Sequence, residues 1–97
     1  MDLGIHVSLW TPEWSASFLA YVEKAAELGF DLVEIPIMNP SAFPLDEVKQ
    51  VLAKTGLKVR CGTGLGAGTD ISSTNSAISA AGQDHLFRCI DIASELG

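Results

Sequence analysis

Basic residues are few in this chain and nowhere clustered. Lys24, Lys49, Lys54, Lys58, Arg60 and Arg88 stand against twelve Asp and Glu, for a formal charge of −6. Phosphate-backbone binding draws on grouped Lys and Arg, so no nucleic-acid partner is expected. No stretch approaches the ~18 consecutive apolar residues of a membrane helix, and no membrane partner is expected either. The opening Met1-Asp2-Leu3-Gly4 has no basic run of the kind that begins a secretory leader. Cysteine is limited to Cys61 and Cys89, whose separation suits no metal site. Reduced thiols and a cytoplasmic location are therefore the expectation. Also missing are a Walker lysine, a metal-spaced pair of histidines and a nucleophile elbow. Low-complexity tracts and interdomain linkers are absent as well, so residues 1–97 are expected to belong to one domain.

What the chain does have is apolar content, 47% of its 97 residues, with a positive mean hydropathy. That composition belongs to a packed core and not to a disordered chain. Three apolar-periodic runs end alike, at Leu28-Gly29, Thr55-Gly56 and Leu96-Gly97. A glycine one step past a helix suits the left-handed position, where a Cβ would clash. Strand-like segments follow the first two: residues 31–37 and 57–61. Residues 3–9 form an earlier apolar run, broken by His6 and Ser8, of the sort seen in parallel strands covered on both faces.

Between these strands the spacing predicts three helices. The first is capped by Ser15 or Ser17 and buries Phe18, Val22, Ala25 and Leu28. The second has Asp46 and Glu47 in its first turn and buries Val48, Val51 and Leu52. The third spans residues 75–96, with Ile78, Ala81, His85, Cys89, Ile92 and Leu96 at helical spacing. Gly82 inside it costs ~1 kcal/mol relative to Ala, which points to close packing. The Pro36…Pro40…Pro44 stretch cannot be central strand. Strand and helix alternating three times predict an α/β fold with parallel strands in sequential order. A closed (β/α)8 barrel takes ~250 residues, so three units are about three-eighths of one. The expectation is a segment of a longer barrel, with strand edges left unpaired.

In parallel α/β folds, chemistry gathers where strands end and loops begin. His6 is there, either as a satisfied core residue or as a substrate hydrogen-bonding group. Trp14, on the loop after the first strand, either plugs the barrel mouth or stacks on a sugar's apolar face; Trp10 reads as packing. Glu34 stands among Leu32, Val33, Ile35 and Ile37, and a buried carboxylate there needs a partner or a shifted pKa. His85 falls on a helix face directed away from the strand ends. The glycine-rich loop begins at Gly62. Its Gly62-x-Gly64-x-x-Ala67 matches a dinucleotide fingerprint only on paper, because Thr69-Asp70-Ile71-Ser72 intervenes before any helix. Glycine there more plainly lets a substrate approach the backbone.

These stretches together resemble the ketose 3-epimerases acting on D-tagatose, D-psicose (D-allulose) or L-ribulose, within the xylose-isomerase-like TIM barrels. The resemblance rests on Gly4-Ile5-His6, on Trp10 with Glu13-Trp14, and on Leu28 through Glu34. It continues through Gly64-Leu65, Thr69 through Ser73, Ala80-Ala81-Gly82 and Ile90 through Gly97. It covers the whole chain but only the first third of a family member. The Gly-Phe-Asp-Leu-Val-Glu element is common to the wider superfamily, whereas His6 with Trp14 and Asp70-Ile71-Ser72-Ser73 are more specific. The resemblance implies the first three βα units of a TIM barrel and inversion at C3 of a free ketohexose or ketopentose. A divalent metal (Mn²⁺, Mg²⁺ or Co²⁺) would polarise the C2 carbonyl while two glutamates exchange protons with C3. Those glutamates and all metal ligands would lie outside this chain, which supplies no catalytic residue. By position, His6, Trp14 and Gly62 match residues lining the family's substrate pocket. His6 stands where several relatives carry Tyr or Phe. Glu34 is a candidate for the layer supporting that pocket. A homodimer or homotetramer is implied for the complete enzyme. Sister barrels that isomerise sugars or hydroxypyruvate remain an alternative reading, as does an inactive segment with a structural role. Acidic charge speaks against the AP-endonuclease branch.

Overall fold

The computed structural model describes residues 1–10 and 18–97. Trp14, and the Ser15 or Ser17 cap expected for the first helix, lie outside the described residues. Three strands, β1 (Gly4–His6), β2 (Leu32–Pro36) and β3 (Lys58–Gly62), alternate with three helices, α1 (Phe18–Glu27), α2 (Leu45–Thr55) and α3 (Ser76–Leu96). The strands form one sheet in the order β1-β2-β3, and both pairings are parallel. The sequential parallel arrangement expected from the repeated punctuation is therefore present. Gly29, Gly56 and Gly97 take φ of +89°, +72° and +94°, the left-handed values a helix end asks of them. At Gly56 the backbone N–H closes α2 onto the Leu52 carbonyl.

The core lies between one face of the sheet and the first two helices. Val33 and Ile35 of β2, Phe18, Val22 and Ala25 of α1, and Val48, Val51 and Leu52 of α2 are buried there. Leu28, expected to join that stripe, is exposed, since it lies beyond the last helical turn. α3 is the least covered helix: Gly82 and Cys89 are its buried residues, whereas Phe87 and Ile90 are exposed. A groove of about 280 Å³ runs beside it, lined by Cys61, Gly62, Thr63, Leu86, Cys89, Ile90 and Ala93. Among the described residues no helix is long and apolar enough to cross a membrane.

Two features of the strands depart from the sequence expectation. β1 stops at His6 instead of running to residue 9. The Ser8 N–H donates to His6 Nδ1 at 3.0 Å, which turns Val7–Leu9 into a 3₁₀ turn and leaves Leu9 exposed. A local side-chain bond of this kind competes with the sheet ladder. Pro36, the start of a proline stretch expected to be barred from central strand, is nevertheless the last residue of the central strand, in register with Gly62. Pairing with β1 has already ended at Glu34, so on that side no ladder donor is missing.

α3 opens with an Asn75 cap whose Oδ1 accepts from the Ala77 N–H at 3.0 Å and the Ile78 N–H at 3.4 Å. Asn75→Ala removes that acceptor and is expected to cost about 1 kcal/mol. Urea unfolding should register this as a lower midpoint at unchanged slope.

Candidate functional site

Side chains alternate across a strand, and the parallel register carries that alternation across the sheet. Ile5, Val33 and Val59 are level with one another and belong to the helix-covered side. One step along, His6, Glu34 and Arg60 are level and belong to the opposite side. Glu34 is therefore not the buried carboxylate its neighbours in sequence suggested. Its side chain is 43% exposed, because Val33 and Ile35 turn into the core and Glu34 turns away from it.

His6, Glu34 and Gly62 meet around a single atom, Glu34 Oε1. His6 Nε2 lies 4.0 Å from it. A Cβ built on Gly62 would lie 3.2 Å from it. Since the Ser8 N–H donates to His6 Nδ1, the ring proton of the neutral imidazole is assigned to Nε2, the nitrogen nearer Glu34. This face of the sheet thus presents a donor, an acceptor and a patch of bare backbone side by side. Such a set suits a polyhydroxylated ligand, whose hydroxyls both give and accept hydrogen bonds. Arg60, level with Glu34 and exposed, adds a positive charge that the sequence reading had only counted. The signal for it was available: Arg60 alternates with Val59 and Cys61, which are half-buried.

The environment of β3 is otherwise apolar. Burial pushes the Cys61 thiol above its ordinary value, helped by the nearby Cys89 and Glu34. The Asp70 carboxyl is held below its usual range by hydrogen bonds from the Ser72 hydroxyl and N–H, at 2.6 and 2.9 Å. The glycine-rich loop does not open into a helix. It forms a 3₁₀ turn over Ala67–Thr69, and α3 begins only at Ser76, so the dinucleotide fingerprint has no structural counterpart.

His85 is the clearest departure from the sequence reading, which turned it away from the strand ends. Its Nε2 lies 2.7 Å from the Oγ1 of Thr63, the residue immediately after β3. Gly82 and Cys89 are the buried residues of α3, and His85 lies between them on the same helix face. That spacing was visible in the sequence, but the strand-end loop it would meet was not.

Comparison with known proteins agrees with this fold. Residues 22–97 match the family model described as xylose isomerase-like TIM barrel. The ketose 3-epimerase of Arthrobacter globiformis is 41% identical over the whole of this chain, which covers 34% of that protein. The L-ribulose 3-epimerase of Methylomonas sp. (strain DH-1) is 32% identical, again across the whole chain and 34% of the relative. Among solved structures, the D-allulose 3-epimerase from Methylomonas sp. in complex with D-allulose superposes with a TM-score of 0.92 at 32% identity, over 100% of this chain and 34% of that one. The chain spans about a third of the length of the relatives it matches. Its three parallel βα units, and the match over most of its residues, establish that the chain belongs to the xylose isomerase-like TIM barrel family.

Proposed function

We propose that these residues form one wall of the sugar pocket of a ketose 3-epimerase. The observation that carries this reading is the convergence of His6 Nε2, at the carboxyl end of β1, and the Gly62 backbone, at the carboxyl end of β3, on Glu34 Oε1 of the strand between them. In this family fold, that rim is where ligands sit. The similarity to an epimerase solved with D-allulose supports a ketose as the ligand. His6 would donate from Nε2 to a sugar hydroxyl, Glu34 would accept from one, and Gly62 would let the ring or chain approach the backbone. Trp14 belongs to the proposed pocket by sequence position.

The chemistry of C3 inversion is assigned elsewhere. Among the described residues no group of three or more His, Cys, Asp and Glu could hold a metal ion. His6 and Glu34 alone do not make a metal site, and no step is derived through one. We place the divalent-metal ligands and the two proton-carrying glutamates of the reaction outside these 97 residues. The chain's own part is to bind and orient.

The test uses the whole protein that carries this segment, incubated with Mn²⁺ and D-fructose or D-tagatose. The expected product is the C3 epimer. An aldose, from transfer between C1 and C2, would favour the sister sugar-isomerase reading instead. The 97-residue chain by itself should give no turnover above a metal-only control. Turnover by it would place the reacting groups within this segment and overturn the assignment.

A further inference from the structure

Thr63 has one hydroxyl proton, and the structure shows where it goes: Oγ1 donates to the Ile37 carbonyl at 2.7 Å. The 2.7 Å contact with His85 Nε2 must then be accepted by Oγ1, with the imidazole as donor. Proton counting thus assigns His85 as the Nε2–H form. Ile37 is the hub of this arrangement. Its N–H donates to the Gly62 carbonyl at 2.7 Å, and its carbonyl accepts from both the Thr63 hydroxyl and the Cys89 thiol, the latter at 3.7 Å. Both lone pairs of that carbonyl are in use. Ile37 is also wholly buried, so its backbone has no solvent to fall back on.

We propose that His85 is a positioning residue. Through Thr63 it locks the end of β3 to the end of β2, and so holds Gly62 against Glu34 without touching a sugar. The proposal rests on the reading of that corner as a pocket wall. The two donors from α3, His85 and Cys89, lie one helical turn apart and reach the same junction, His85 through Thr63 and Cys89 directly. The helix thereby sets the spacing of the strand ends.

Two measurements on the whole protein carrying this segment separate the tie from its consequence for a sugar. The first is independent of activity. Ring ¹⁵N spectra should show His85 as the Nε2–H tautomer, and His85→Leu should speed hydrogen exchange at the Ile37 amide. An Nδ1–H ring, or unchanged exchange, overturns the tie. The second is kinetic. His85→Leu loses one hydrogen bond and should raise KM for the ketose roughly three- to tenfold, with kcat much less affected; Thr63→Val loses two and should raise KM at least as much. Joined in one protein, the two changes should cost no more than Thr63→Val alone, because the link that His85→Leu breaks is already lost with the Thr63 hydroxyl. His85→Gln places an amide N–H at the position of Nε2 and should restore KM. Additive losses, or no rescue by Gln, overturn the proposal, and so does faster exchange with an unchanged KM. If the wild type turns over no ketose at all, the pocket reading fails. The exchange data then still report the tie, and the positioning role for a sugar is overturned with the pocket.

Discussion

Gly82→Ala is expected to destabilise the protein by about 1–2 kcal/mol, although helix propensity alone predicts a gain of about 1 kcal/mol. The reason is the floor beneath the helix. A Cβ at position 82 would run into the Thr69 carbonyl oxygen, and would lie 2.8 Å from Ile71 Cγ2 and 2.9 Å from the Thr69 carbonyl carbon. Backbone cannot rotate aside as a side chain can, so α3 or the loop below it must shift. That shift would loosen a helix whose other buried residue, Cys89, donates to the Ile37 carbonyl just past β2. Ala81→Gly, one position along on an exposed site, is the control and should lose about 1 kcal/mol through propensity. In urea both variants should unfold earlier. A later midpoint for Gly82→Ala would show that the contact with Thr69 is not what excludes a side chain there.

How far the sequence was legible follows from the range of each signal. The three βα units could be read because their punctuation is local: Gly29 and Gly56 end helices in the left-handed conformation, and a strand follows within three residues. The inner face of α2 was equally plain, since Val48, Val51 and Leu52 obey helical spacing. β1 was overread because the bond that ends it, from the Ser8 N–H to His6 Nδ1, leaves no mark on hydrophobic periodicity. Glu34 was read as buried because its apolar neighbours on both sides concealed the alternation. Val33 and Ile35 face the core, and Glu34 faces away from it. The Thr63–His85 contact joins residues 22 positions apart. Nothing in a helical stripe tells which strand-end loop lies opposite, because that pairing is set by the folding of the whole sheet against α3.

Gly62→Val is expected to lower kcat/KM for the ketose by roughly 10- to 100-fold, the scale of a disturbed hydrogen bond to a charged group. The φ of Gly62 is not left-handed, so the backbone itself would accept a side chain. The obstacle is the carboxylate of Glu34, whose Oε1 would stand 3.2 Å from the new Cβ. An alanine needs that oxygen to give only a few tenths of an ångström. Valine adds two methyl groups at the same spot and drives the carboxylate off its line with His6, now 4.0 Å away. Because the damage falls on binding groups, most of it should appear in KM. Glu34→Ala supplies the decisive background. With the carboxylate already gone, valine at position 62 has nothing left to displace, and the double variant should be little worse than Glu34→Ala alone. Unfolding midpoints should barely move, since position 62 borders the open face and not the α1–α2 core. If valine costs the same in both backgrounds, Gly62 acts independently of Glu34, and the shared corner at Oε1 is not a working part of the site.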